Sequence, residues 1–136
     1  PKIMGVKNVS KNKVLATTSR IADSPFRKLL GLMFSKASKS AMILKFSREA
    51  KVHLHTFFVF YPLDIVFADR NMSVVEVKQH LQPFRTYSSR KKAKYVIELP
   101  AGVIAKTNSS VGDKLMFFEI VRTKLSNGRT VAVRRA

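Results

Sequence analysis

His53 and His55 stand two residues apart at the start of an apolar block that carries one carboxylate in its middle, Asp64, and another at its end, Asp69. On a strand both imidazoles project to one face, a spacing that zinc sites use, and Asp64, Asp69 or His80 would complete a ligand set. The same residue types also suit proton transfer, with His55 and Asp64 lining one cleft as orienter and base. Each has a structural competitor, and the structural account is preferred. His55 can bond a neighbouring backbone group or carboxylate and order the strand. Asp64, between Leu63 and Ile65, can accept backbone N–H groups at the break made by Pro62. Two histidines without a defined third ligand do not specify a metal, so no metal and no other cofactor is expected. Asp113, after Gly112, is expected to satisfy turn amides. No Ser or Lys stands at a recognised nucleophile spacing, and there is no phosphate-binding glycine loop. The chain has no cysteine, which excludes disulfides, thiolate catalysis and cysteine-ligated zinc.

Charge points to a different chemistry. The chain carries 26 Lys and Arg against 8 Asp and Glu, a net charge of +18. Residues 1–51 hold 12 basic and 2 acidic side chains, 52–84 hold 2 and 3, and 85–136 hold 12 and 3. Unpaired buried cations are costly, so the flanking segments must place theirs on the surface, where they attract polyanions. The best binding signal mixes cations with aromatics: Arg85, Tyr87, Arg90, Lys91, Lys92, Lys94 and Tyr95. Arg122, Lys124, Arg129, Arg134 and Arg135 form a second strip. Against this, charge runs are commonly solvated faces, and no ribonucleoprotein or helix-turn-helix signature is present.

The elements that must position these groups follow from spacing. Phe57, Phe58, Phe60, Tyr61, Ile65, Val66 and Phe67 are β-branched or aromatic, and Pro62 interrupts them, which predicts two short buried strands with a break. Strands are expected at Lys2–Val9 and Lys13–Arg20 around a Ser10-Lys11-Asn12 turn, then at Ala41–Phe46, Val52–Phe60, Leu63–Ala68 and Val74–Leu81. Phe84–Ala93 reads as a basic loop, followed by strands at Lys94–Leu99 and Leu115–Arg122. Asn127-Gly128 predicts a type I′ hairpin returning as Thr130–Arg134. Two short helices are expected near residues 24–33 and 100–106, the second with Pro100 at its first position. The result is a single mainly β (α+β) domain over residues 1–136, sandwich-like or barrel-like. No stretch reaches the roughly 20 apolar residues of a membrane helix, and the first five residues do not make a signal peptide, so a cytoplasmic chain without membrane contact is expected.

Several segments together resemble the prokaryotic domain-of-unknown-function family 192. They are Asp23–Met33 ending in Gly31-Leu32-Met33; His55-Thr56-Phe57-Phe58 followed by Pro62–Phe67 and Asp69; Pro83-Phe84-Arg85; and Glu98–Gly102 followed by Val111–Leu115. They span roughly residues 21–118, and the hairpin at about 115–134 reaches beyond them. The resemblance implies a compact, mainly β domain with two short helices, and brings no activity, substrate or cofactor. Similar members usually carry arginine where Phe60 stands and tryptophan where Phe84 stands. A glycine often follows the first turn residue after the aspartate, whereas this chain has Arg70-Asn71-Met72, with Asn71 able to adopt the left-handed conformation instead. The preferred reading is a non-catalytic β domain whose basic surface binds nucleic acid or an acidic protein. The alternatives are a small enzyme or metal-dependent site around His55, Asp64 and Asp69, and a scaffold or oligomer subunit without a ligand.

Overall fold

Alternating and β-branched segments build eight strands in the computed structural model, which describes residues 4–22 and 41–135, without the side chains of Thr18, Ile120 and 132–135. The strands are β1 (Met4–Asn8), β2 (Lys13–Ala22), β3 (Met42–His55), β4 (Leu63–Ala68), β5 (Val74–Leu81), β6 (Thr86–Pro100), β7 (Leu115–Lys124) and β8 (Thr130–Arg135). They form one curled mixed sheet in the order β5-β4-β6-β3-β2-β1-β7-β8. All neighbours run antiparallel except β2 and β3, joined in parallel by Arg20–Met42, Ile21–Ile43 and Ala22–Leu44. Curling brings the approach to β7 against the start of β5: Val74 donates to the Asp113 carbonyl at 2.8 Å and Leu115 to the Met72 carbonyl at 2.8 Å.

Apolar clusters lie on both faces of the sheet's central strands. Every residue of β4 is buried, with Leu63, Ile65 and Phe67 in one apolar cluster and Val66 and Ala68 in the other. A strand enclosed on both sides needs a near-continuous apolar run rather than alternation, and Asp64 is the one polar residue that interrupts it. Gly5 lies directly opposite Phe118, whose ring occupies the space where a Cβ would stand, with its nearest atom 2.0 Å from that position. The Phe118 ring therefore covers β1 only because residue 5 has no side chain.

Several expectations change. The helix expected near 24–33 falls outside the described residues. The second helix, α1, is Val103–Thr107. It starts later than Pro100 because that proline closes β6, and Gly102 makes the turn with φ 101°. One short helix is thus seen among the described residues rather than two. The expected strands Ala41–Phe46 and Val52–Phe60 are one strand, β3, which ends at His55. The basic segment expected as a loop is instead most of β6, paired with β3 from Met42–Glu98 to His55–Thr86. At the last hairpin, Gly128 is left-handed (φ 84°) and Asn127 is not, so the turn is not type I′. Its Leu125–Gly128 turn bond and left-handed glycine match a type I turn with a bulge. After Asp69 the left-handed residue is Met72 (φ 63°), not Asn71.

The largest departure concerns the phenylalanines. Tyr61, Ile65, Val66 and Phe67 are core, but Phe57, Phe58, Phe60 and Phe84 are 43%, 45%, 62% and 45% exposed. Residues 56–62 are a connection that sends Val59 and Tyr61 into the core and leaves the rings of Phe57, Phe58 and Phe60 exposed.

Candidate nucleic-acid interface

The connection between β3 and β4 and the turn between β5 and β6 are tied together by one buried side chain, Thr56. Its amide donates to the Arg85 carbonyl at 2.8 Å, and its carbonyl accepts from Phe84 at 3.0 Å and Val59 at 3.2 Å. Its hydroxyl donates to the Gln82 carbonyl at 2.6 Å and accepts from the Arg85 amide at 2.8 Å. A small β-branched hydroxyl residue can satisfy all these groups at once without adding bulk. The clamp holds Phe84 and Phe58 with φ of 56° and 59°, and His80 nearby has φ 54°. Bulky residues rarely occupy this region, so these loops are held by surrounding bonds rather than by local preference. The rings meet edge to face, Phe58–Phe84 and Phe60–Phe84 both at 5.7 Å between centroids.

Arg85, next to Phe84 in the chain, helps line a cavity of about 270 Å³ together with Lys78, His80 and Tyr87, with Leu81, Gln82 and Thr86 completing its wall. The Lys78 ammonium sits 5.7 Å from the centre of the Tyr87 ring. Tyr87 in turn packs on Phe67 and donates its hydroxyl to Glu76. Desolvation first, and the Glu76 carboxylate second, push the Tyr87 phenol up to about 12. Glu76 feels desolvation upward, but the bonds from Tyr87 and from the Lys91 and Arg90 amides prevail and hold its carboxyl below 4.5. Those two amides, at 2.8 Å for Arg90 and 2.9 Å for Lys91, belong to an irregularity in β6 where the register jumps from Lys51–Lys92 to His53–Ser88. Glu76 therefore shapes the strand that presents Arg90, Lys91 and Lys92 to solvent.

The basic residues singled out by sequence do not form one patch. Arg85 and Tyr87 line the cavity, Arg90, Lys91 and Lys92 are exposed on β6, and Lys94 is half-buried. Tyr95 packs against Phe117 at 5.4 Å and belongs to the margin of the core. Arg122 and Lys124 are exposed on β7, four strands from β6, about 19 Å along the sheet at the usual strand spacing. Arg129 is exposed in the last turn, and the side chains of Arg134 and Arg135 lie outside those described.

The enzyme candidates are not brought together either. Asp64 is fully buried and accepts three backbone amides: His80 at 3.0 Å on one oxygen, Gly102 at 3.0 Å and Ile104 at 2.9 Å on the other. It is the structural residue expected, though its donors come from the end of β5 and the start of α1 rather than from the Pro62 break. Asp69 closes the β4–β5 turn by accepting from Asn71 and Ser73 at 2.9 and 3.0 Å. The two carboxylates flank opposite ends of β4, on the order of 16 Å apart at the rise of a strand. His55 stacks on Phe57 at 5.2 Å and accepts its amide at 3.2 Å. His53 shares a bond with Ser88 at 2.8 Å. Among the described residues no cluster of three or more His, Asp or Glu is disposed to hold a metal ion. Asp113 behaves as expected, bonding the Ser110 amide at 2.9 Å, and also takes Asn8 at 2.8 Å and Lys11 at 3.0 Å. Desolvation raises its pKa, but these partners outweigh that and leave it below 3.8.

Sequence reading misses Thr56, Glu76, Lys78, Phe60 and Phe84. The proline after Phe60 and the proline before Phe84 signal that both rings lie in connections. Nothing local announces that these connections meet.

The sequence profile of the family described as Uncharacterized ACR matches residues 6–117. A UPF0127 protein of Pyrococcus horikoshii is 36% identical over 114 residues, covering 83% of this chain and 98% of that protein. One from Pyrococcus furiosus is 34% identical over 110 residues, covering 79% and 93%. Two solved structures share the fold. A Sinorhizobium meliloti protein described as a candidate transcription regulator has a TM-score of 0.74 at 23% identity, covering 85% of this chain and 92% of that one. A Novosphingobium aromaticivorans protein of unknown function has a TM-score of 0.72 at 21% identity, covering 84% and 83%.

Proposed function

Because this chain belongs to the Uncharacterized ACR family, domain-of-unknown-function family 192, whose fold carries no assigned reaction, we propose that it is a non-catalytic β domain whose basic surface binds a polyanion, nucleic acid foremost. The observation that supports this is where the carboxylates go. Asp64, Asp69 and Glu76 accept backbone amides, and Glu98 is buried. Ion pairs between described residues form at Lys11–Asp113 and Arg70–Glu49. With 26 cations against 8 carboxylates, the exterior keeps a large excess of positive charge, and such a field recruits anions. Lys51 and Lys92 are even paired directly across β3 and β6, an arrangement that costs a pair of strands about 0.2–1 kcal/mol and that a bound anion would relieve. The description of the Sinorhizobium meliloti neighbour agrees with nucleic acid, although its likeness is one of fold.

The test is binding of inorganic polyphosphate and of a single-stranded oligonucleotide to the purified chain as salt is raised. A single strand that engages four cations should give a slope of log affinity against log salt of about −3. A flat salt dependence, or no binding to either ligand at low salt, refutes the proposal.

A further inference from the structure

Phe84, which meets Phe58 and Phe60 in a cluster of half-exposed rings, immediately precedes Arg85 of the cationic recess, and general polyanion binding has no use for such rings. Acidic polymers without bases, such as polyphosphate, would engage Lys78, Arg85 and Arg90 equally well if Phe58, Phe60 and Phe84 were polar. The rings are also held out at a conformational cost. Phe58 and Phe84 occupy the left-handed region, where glycine or asparagine would sit with less strain, and the Thr56 clamp fixes both loops around them. Backbone strain of this kind gathers where a side chain is used for binding.

We infer, on the basis of the polyanion reading above, that the ligand is a single-stranded nucleic acid, its bases stacking on the Phe58, Phe60 and Phe84 cluster while its phosphates meet Lys78 and Arg85 in the adjoining recess. The chemistry matches in both parts. Every base has a π-face, so exposed rings bind unpaired bases without regard to sequence, and a neighbouring cationic groove tracks the backbone. Paired bases in a duplex are already stacked on each other and cannot reach the rings. The site is pre-formed, since Thr56 joins residues 82–85 to 56–59, so little ordering opposes binding. Arg85 follows Phe84 directly in the chain, which places a cation beside the ring cluster.

The experiment measures anisotropy of three labelled ligands on the unaltered chain: an oligothymidylate of about twelve nucleotides, an abasic strand with the same phosphates, and a duplex. The oligothymidylate should bind at least about fivefold more tightly than the abasic strand, the least that one stacked base provides. Phe60→Ser and Phe84→Asn should each remove about fivefold or more from oligothymidylate binding and leave polyphosphate binding unchanged. Phe84→Asn suits its backbone better than phenylalanine does, so a loss of binding there cannot be assigned to misfolding. Equal affinity for the abasic strand and the oligothymidylate overturns this inference and spares the polyanion reading. Failure to bind polyphosphate and oligonucleotide alike overturns both. Sedimentation with phosphatidylserine vesicles that depends on Phe60, or a change in molecular mass on Phe60→Ser, with oligonucleotide binding unaffected, would reassign the rings to a membrane or to a second copy and also overturn it.

Discussion

Replacing Thr56 with valine removes one hydroxyl and keeps the shape of the side chain. That hydroxyl donates to the Gln82 carbonyl at 2.6 Å and accepts from the Arg85 amide at 2.8 Å. Thr56 is only 1% exposed, so water cannot readily take its place against the Arg85 amide. Leaving a buried donor unpaired costs about 1–3 kcal/mol. The Gln82 carbonyl lies in an exposed residue and adds little. With an unfolding entropy of roughly 2.1 cal/mol/K per residue over this chain, each kcal/mol lowers Tm by about 3.5 °C, so a loss of about 2 kcal/mol predicts a fall near 7 °C. Thr56→Ser keeps the hydroxyl and should fall between the parent and Thr56→Val. Thermal melts of the three chains give this order, and hydrogen exchange should show the Arg85 amide losing protection in the valine variant alone. A Thr56→Val chain melting within 1–2 °C of the parent, about 0.5 kcal/mol by the same conversion, would refute the clamp.

Glu98 is buried and its carboxyl is pushed up to about 7 by desolvation. The folded chain then holds a proton that the unfolded chain releases above about 4.5. Its contribution is complete below pH 4.5 and is lost as pH rises through about 7, on the order of 3 kcal/mol in all. Urea midpoints of Glu98→Gln should lose that slope and exceed the parent's at pH 8; parallel curves would contradict the assignment. Lys92→Glu should raise stability at low salt by up to about 1 kcal/mol, because it replaces a like-charge pair with Lys51, and should weaken polyphosphate binding at the same time. A change in only one of the two measurements would separate the strand pair from the ligand surface. Gly5→Ala should cost about 1–3 kcal/mol in a denaturant melt, because its new methyl enters the Phe118 ring; no loss would mean that the ring swings aside freely.

Local patterns carried the sequence reading where neighbours in space are neighbours in the chain. The β4–β5 hairpin, the turn around Asn12, the buried run Leu63–Ala68 and the turn role of Asp113 all follow from a few adjacent residues. Asp64 was legible as a satisfied carboxylate, but its donors at residues 80, 102 and 104 are set by tertiary structure. The β3–β6 ribbon was legible in its apolar parts, expected as strands at Ala41–Phe46, Val52–Phe60 and Lys94–Leu99, but not in its basic stretches. Lys45, Ser47, Arg48 and Lys51 on β3, and Arg90, Lys91 and Lys92 on β6, are exposed strand residues whose composition is that of a loop. Aromatic content misled in the opposite direction: Phe57, Phe58 and Phe60 look like core by type, yet they lie exposed in the connection that Thr56 ties to residues 82–85. The recess beside them is assembled from β5, β6 and the turn between them, with Glu76 bracing Tyr87, and no single segment encodes it.

The place of β1 between β2 and β7 has a consequence for biosynthesis. Met4 is matched with Ser19 on one side and with Glu119 on the other, and Asn8 reaches Ser109 and Asp113. The β1–β2 hairpin can zip as soon as both strands have been made, yet the other flank of β1 stays unmated until β7 has been translated. Pairings this distant in sequence are slow to form, and an unmated strand edge is an invitation to other chains. Expression at reduced temperature or alongside a chaperone should accordingly raise the soluble yield, and premature termination before β7 should yield aggregates.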